Sequence, residues 1–266
     1  MRLKDRVAIV VGAGQSPGEG MGNGRATALT FAREGARVLC VDHNMASAQE
    51  TTQMIAAQGG TAVAFKADVT KTAELKAMAA DALARWSRID ILHNNVGVSL
   101  AGGDAELLDF TEEALERCVA INLKSCIFAA KQVIPIMRQQ MSGAIINISS
   151  MAAITTYPYV AYKATKSAMI AFTEQLAYQN ASYGIRANVI LPGLMNTPMA
   201  VDTRAREFKK ARAEIAAERD AKVPLRKKMG TAWDVANAAL FLASDEAAFI
   251  TGVTLPVDGG ASVRRG

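Results

Sequence analysis

The sequence predicts one α/β domain, a doubly wound parallel sheet of about seven strands with helices on both faces. Three observations carry this. Short, continuously apolar runs alternate with helical stretches along the whole chain, as expected of parallel strands buried on both sides. The first run, Val7–Val11, leads through a glycine-rich loop into a helix. Half of the 266 residues are hydrophobic, enough for one large core, and no composition break, linker or repeat divides residues 1–266.

The first strand ends at Gly12. The loop Gly12-Ala13-Gly14-Gln15-Ser16-Pro17-Gly18-Glu19-Gly20-Met21-Gly22-Asn23-Gly24 then opens a helix over residues 25–34, closed by Gly35. Residues 37–41 form the second strand with Asp42 at its tip, and a helix over 47–58 stops at Gly59-Gly60. A third strand over 62–65 ends near Asp68, before a helix over 71–86 and a strand over 89–93. A long helical stretch spans Glu112–Gln140, a strand 144–148, and an alanine-rich helix then carries Tyr162 and Lys166. A sixth strand covers 187–191, residues 200–222 are charged and helical, 234–243 is another helix, and 253–255 is a last strand.

Charged residues make up 21% of the chain, and 30 basic against 25 acidic side chains give a formal net charge of +5. The excess gathers in residues 204–228 and in the tail Arg264-Arg265. No basic run is interleaved with aromatics, so no nucleic-acid partner is expected. The N-terminus lacks the apolar stretch of a signal peptide, and no apolar run is expected to span a bilayer. Cys40, Cys118 and Cys126 are sparse and lack framework spacing, which points to reduced thiols and a cytoplasmic protein. His43 and His93 have no partners at zinc spacing, so no metal site is expected.

Tyr162 and Lys166 stand four residues apart and project from one face of their helix. An ammonium beside a phenol stabilises the phenolate and is expected to lower the Tyr162 pKa from about 10. Such a phenol exchanges a proton with a substrate hydroxyl near neutral pH. In the glycine-rich loop, residues without side chains let the backbone approach a pyrophosphate, and the helix start points free N–H groups at it. Asp42 lies close to the ~20-residue separation expected of a carboxylate that accepts from the adenosine ribose. It would repel a 2′-phosphate, so the expected cofactor is NAD in preference to NADP.

On these and further residues, from Arg6 to Gly260, the chain resembles the short-chain dehydrogenase/reductase family. Asn94-Asn95-Val96-Gly97 resembles the family's turn after strand four, and Asn122 in Ile121-Asn122-Leu123 matches its helical Asn. Asn147-Ile148-Ser149-Ser150 matches its Ser motif, and Tyr162 with Lys166 its Tyr-x-x-x-Lys. Leu191-Pro192-Gly193 with Thr197-Pro198 resembles the segment that closes over the nicotinamide, and Val257-Asp258-Gly259-Gly260 the C-terminal signature. There are departures. Val11 stands where the family has Thr, Val96 replaces the usual Ala, and the lengthened glycine loop carries an insertion of six residues if Gly12, Gly22 and Gly24 are the motif glycines. Glu19 in that insertion is expected to point to solvent.

The resemblance implies a Rossmann-like domain with a substrate lid at about 194–225. It implies hydride transfer between an alcohol or ketone and the nicotinamide. Tyr162 would be the acid/base, Lys166 its support and ribose ligand, Ser150 (preferred to Ser149) a donor to the reacting oxygen, and Asn122 the holder of a water leading to Lys166. Cofactor contacts are implied at Gly12, Gly22, Asn23, Gly24, Asp42, Asp68, Val69, Asn94, Val96, Gly97, Tyr162, Lys166, Pro192, Gly193 and Thr197. Tyr157, Tyr159, Met195 and Met199 could wall the substrate. Arg204, Arg206, Arg212 and Arg219 either pair with an anionic group on it or, as favoured, lie on a solvated face beside Glu207, Glu214 and Glu218. The resemblance also implies a homotetramer built through residues 112–140 and 162–183, where Ile127, Phe128, Met169 and Phe172 serve as interface or core, with a second contact near Leu255-Pro256. The leading reading is an NAD-dependent dehydrogenase of a small alcohol, sugar, polyol or cyclic hydroxyl. Alternatives are a 3-ketoacyl-carrier-protein reductase and a catalytically silent dinucleotide sensor.

Overall fold

Uniformly apolar strands need cover on both sides, and the chain supplies it. The computed structural model describes residues 1–263; the tail Arg264-Arg265 lies outside the described residues. Seven parallel strands, β1 (Val7–Val11), β2 (Arg37–Asp42), β3 (Thr61–Lys66), β4 (Ile91–Asn94), β5 (Gly143–Ile148), β6 (Ile185–Pro192) and β7 (Thr254–Val257), line up in the order β3-β2-β1-β4-β5-β6-β7. Helices α1 (Asn23–Arg33), α2 (Met45–Ala57) and α9 (Ala232–Ala243) cover one face. Helices α3 (Thr72–Trp86), α5 (Ser125–Gln140) and α6 (Val160–Asn180) cover the other, with α4 (Glu112–Cys118) leading into α5.

Alternating strand side chains feed two cores. Ala8 and Val10 pack with Val38, Ile91 and Ile146 under α1 and α9, while Ile9 and Val11 pack with Leu39, Leu92 and Ile145 under α3 and α5. The order reverses between β1 and β4, so the carboxyl ends of these strands open a crevice at the switch point.

Four expectations need correcting. The fourth strand begins at Ile91, because Ile89 N donates to Gln140 Oε1 (3.0 Å) instead of joining the ladder. The stretch Glu112–Gln140 is one helix by length, but it passes through a π-helical segment, Val119–Lys124, between α4 and α5. That stretch is also long and apolar enough to cross a membrane, with a mean hydropathy of 1.3, contrary to the expectation that no run is. It lies instead along the sheet, with Ala129, Ala130, Val133 and Met137 buried beneath it. Residues 200–222 are two helices, α7 (Thr203–Glu207) and α8 (Arg212–Asp220), parted by Lys209 at φ +53°.

Candidate active site

At the crevice, β1 delivers Gly12, β2 Asp42 and β4 the Asn94–Gly97 turn. A side chain at Gly24 would run into the Gly12 carbonyl, to which Asn95 Nδ2 also donates (3.2 Å). This close approach seats α1 on β1. Gly22 is the residue before α1, and no side chain caps the helix or places a carboxylate in its first turn. The N–H groups there are open to a phosphate. Asn23 Oδ1 is buried beside them with no partner, an acceptor that suits a hydroxyl of a bound dinucleotide. The inserted residues bulge away from the helix start. Gln15 Oε1 accepts from Gly22 N (3.1 Å) at the base of the bulge, and the Glu19 side chain is 80% exposed, as expected.

Asp42 accepts from Gly14 N and Asn44 N, both at 3.0 Å. A carboxylate has about four lone-pair directions, so capacity remains for ribose hydroxyls. Arg25, the cation beneath this corner, is buried and bound to Glu50 (2.6 Å) and Thr51 (3.0 Å). It is not presented to a 2′-phosphate. Asp68 accepts from Thr70 Oγ1 (2.7 Å) and Thr70 N, and these bonds, the hydroxyl's first, hold its carboxyl below the usual range. Val69 packs on the adjacent core, and Val96 presses on Gly12. The Asn94 side chain points into the fold. It donates to Asn147 Oδ1 (2.9 Å) across β4 and β5, and Asn147 Nδ2 donates to Thr173 Oγ1 (2.9 Å) on α6. This buried amide chain fixes the helix of Tyr162 to the sheet.

Asp104 sets the start of that helix. Its carboxylate accepts from Ala161 N (2.8 Å), Tyr162 N (3.1 Å) and Ser99 Oγ (3.2 Å). Ser99 Oγ bonds the Tyr157 hydroxyl at 2.9 Å, and the Tyr157 and Tyr162 rings lie 5.5 Å apart. Ser150 stands beside the Tyr162 phenol, and its Oγ accepts from Ala152 N (3.1 Å). Ser149 is turned away, with Oγ donating to Lys166 O (2.7 Å) inside the fold. Asn122, in the π-helical segment, accepts from Val98 N (2.7 Å) and donates to Val98 O (2.9 Å) and Thr165 Oγ1 (3.1 Å). It thereby ties the loop after Gly97 to α6. Extra-residue turns of this kind recur at functional sites.

Lys166 does not lower the Tyr162 pKa here as expected. Its Nζ donates to Ile148 O (2.7 Å) and lies 5.8 Å from the Tyr162 ring centre, with Gly97 leaving it room. Burial pushes the phenol up to about 12, and the Ser150 hydroxyl opposes this. Burial pushes the Lys166 ammonium down to about 8. At neutral pH the pair is thus a protonated phenol beside a protonated amine, the acid form of the couple.

Beyond β6, Gly193 N donates to Val257 O (2.9 Å) after Pro192, and Thr197 Oγ1 accepts from Ala200 N (3.3 Å) at the head of a π-helical turn, Pro198–Asp202. With α7 and α8 this turn packs around its own small core of Val201, Ile215, Val223 and Met229, within the segment expected to form a lid. Met195 is buried in the main core and not in a substrate wall, whereas Met199 is exposed and Tyr157 stacks edge-on against Tyr159. The favoured placement of the lid arginines is also overturned. The carboxylates of Glu214 and Glu218 go to Lys210, Arg212 binds Asp202, and Arg206 donates to Pro17 O. Arg204 and Arg219 turn inward.

Sequence reasoning passed over Asp104 and Asn95. Asn95 stood inside a motif already singled out; Asp104 follows a glycine pair in a polar loop and carries no spacing signal.

Residues 19–262 match the family model described as enoyl-(acyl carrier protein) reductase. A 2,5-dichloro-2,5-cyclohexadiene-1,4-diol dehydrogenase of Sphingobium indicum is 35% identical over 98% of both chains. A crystal structure of a short-chain dehydrogenase/reductase from Burkholderia xenovorans is 41% identical, covers 100% of this chain and 99% of its own, and superposes with a TM-score of 0.90. A 7α-hydroxysteroid dehydrogenase structure, complexed with NADH and 7-oxo glycochenodeoxycholic acid, is 31% identical over 97% and 95% of the two chains, with a TM-score of 0.86. With a switch-point crevice, an uncapped helix start and the Ser150–Tyr162–Lys166 group on one edge of the sheet, these matches make the chain a member of the short-chain dehydrogenase/reductase family, oxidoreductases that use a nicotinamide dinucleotide on alcohol and ketone substrates.

Proposed function

We propose that this chain interconverts a secondary alcohol and its ketone with NAD, Tyr162 acting as general acid and base. The observation that carries the reading is the half-buried Tyr162 phenol beside the Ser150 hydroxyl, on the helix whose Lys166 is held at Ile148 O. A bound nicotinamide supplies the hydride donor or acceptor for the carbinol carbon. In reduction Tyr162 gives its proton to the carbonyl oxygen, and in oxidation it takes the hydroxyl proton. Ser150 donates to the same oxygen, where negative charge grows. Lys166, on the same helix face as Tyr162 and held by Ile148 O, is the residue we assign to the nicotinamide ribose. Asn122 holds the loop after Gly97 against α6, and so fixes the floor on which the ribose would rest.

NAD is favoured over NADP by Asp42 and by the engagement of Arg25 with Glu50. The diol dehydrogenase and the NADH-bound hydroxysteroid dehydrogenase support a cyclic or small secondary alcohol. The description of the matched family model supports the second reading, a carrier-protein-linked reductase. Asp42 opposes it, since that role usually takes NADPH. A silent dinucleotide sensor is opposed by the presence of Asn122, Ser150, Tyr162 and Lys166 together. The three free, buried cysteines support a reducing, cytoplasmic setting.

The test follows nicotinamide absorbance with NAD and NADP in parallel across secondary alcohols, sugars, polyols, hydroxy acids and cyclic diols. We expect turnover with NAD, and Tyr162→Phe should lower kcat by about 10²–10⁴ while NADH binding stays within a factor of about two. Full activity in that variant, or a preference for NADP in the parent, would overturn the respective assignment.

A further inference from the structure

Among the described residues, two partly buried cations of the lid segment, Arg204 and Arg219, have no carboxylate partner within ion-pair distance. Arg204 donates to Ala200 O (3.0 Å), and the Arg219 Nε is buried with no partner at all. The neighbouring acids are occupied elsewhere. Asp220 Oδ1 accepts from Met229 N (2.7 Å), Asp202 holds Arg212, and Asp104 caps α6. Arg206, Lys209 and Lys222 on the same segment also lack a carboxylate among the described residues but are exposed to solvent, whereas Arg204 and Arg219 are partly buried.

Their position is specific. Arg204 stands on α7 and Arg219 on α8, helices that pack on one another; their charges repel, and that of Arg204 bears on the Tyr157 and Tyr162 phenols. Burial, with that repulsion second, depresses Arg219 to about 10. A buried donor without an acceptor, next to a second like charge, is a costly arrangement that an anion placed between them would relieve. Two guanidinium forks offer the planar, bidentate geometry that oxyanions match best.

We propose that the substrate of this enzyme carries an oxyanion, a carboxylate, sulfonate or phosphate, near the reacting carbinol, and that Arg204 and Arg219 bind it as the lid closes over Tyr162. The inference rests on the hydride-transfer reading above and names its substrate class. Tyr157, anchored by Ser99, stands against the Tyr162 ring at 5.5 Å.

The test compares matched pairs differing only in charge, hydroxy acids and their methyl esters (3-hydroxybutyrate first, then longer and cyclic members), in wild type, Arg219→Gln, Arg204→Gln and Arg219→Lys. Wild type should favour the carboxylate by tenfold or more in kcat/KM. Each Gln variant should raise the carboxylate KM by about ten- to a hundredfold and shrink the preference for carboxylate over ester in kcat/KM, and Arg219→Lys should recover part of the loss. Equal or better turnover of esters and neutral alcohols would overturn the proposal while leaving the dehydrogenase reading intact. Independently of any substrate, NADH-loaded protein is titrated with propionate, methanesulfonate and inorganic phosphate by thermal shift. Stabilisation that is lost in the half-exposed Arg204→Gln variant supports the site. No stabilisation of the wild type, or anions that displace NADH, would overturn it by giving the arginines to no ligand or to the cofactor.

Discussion

His93 occupies the sheet face under α1 and shows what a buried titratable group does without a partner. Its ring meets Phe31 edge-on at 6.0 Å, and neither nitrogen is hydrogen-bonded. Burial pushes its pKa down to about 3, against about 6.5 for the unfolded chain. The unfolded state therefore binds this proton first as pH falls. Stability from the neutral ring is complete above about pH 6.5 and declines below it by about 1.4 kcal/mol per pH unit until the folded group titrates. His93→Leu removes that dependence. The wild-type melting temperature should fall more steeply than the variant's between about pH 6.5 and 4.5; parallel curves would show that the ring is not neutral and buried. For half-buried Tyr162 and buried Lys166, the sequence shows the pairing but not the direction of the phenol's shift. The Tyr-x-x-x-Lys spacing fixes which helix face both share, while desolvation depends on everything packed around them.

At the scale of elements, the bulge of the glycine loop and the lid form a single joint. Glu19 N donates to Asp202 Oδ1 (3.1 Å), Arg212 Nε reaches both Asp202 oxygens (3.3 Å), and Arg212 Nη2 donates to Asn196 Oδ1 (2.9 Å). Gly18, at φ +148°, allows the contact, since a side chain there would run into Asp202. The insertion thus links the loop before α1 to the segment that covers the substrate. Asp202→Ala should raise the KM for both NAD and alcohol by about three- to tenfold, a modest loss for partly exposed, charge-assisted bonds, with kcat less affected. Steady-state kinetics and NADH fluorescence titration measure this; a change in alcohol KM alone would refute the joint. The sequence displays the length of the insertion and the charge of the lid, and from these neither the joint nor the inward turn of Arg204 and Arg219 can be read. Helical charge periodicity says that a face is polar, but not whether it meets water or another loop. The π-helical segment around Asn122 is hidden for a similar reason, since one extra residue per turn leaves the hydrophobic pattern nearly unchanged.

For the whole molecule, the parallel sheet is legible because each buried strand is a local, uniformly apolar run, and the glycine loop and Asp42 mark the switch point. What the chain does with its outer faces is not local. Ile127, Ile134, Pro135 and Phe172 line an apolar groove between α5 and α6, rimmed by Lys131 and Arg138. Met169, weighed as an interface residue, is core. At the other end β7 is an edge strand, and Phe249 nearby is fully exposed. Two separate surfaces, each self-complementary about its own axis, generate a closed tetramer of twofold symmetry. We propose that copies of this chain cover both. Light scattering after size exclusion should give about four times 28.2 kDa. Phe172→Glu should release species of half that mass with Tyr162 and its neighbours intact. Phe249→Asp should do the same at the β7 end, and the two changes together should give monomers. A wild type that elutes as a strict monomer at micromolar concentration would refute the assembly, and would leave the α5–α6 groove and Phe249 as exposed apolar surface of a kind that single chains of this size seldom keep.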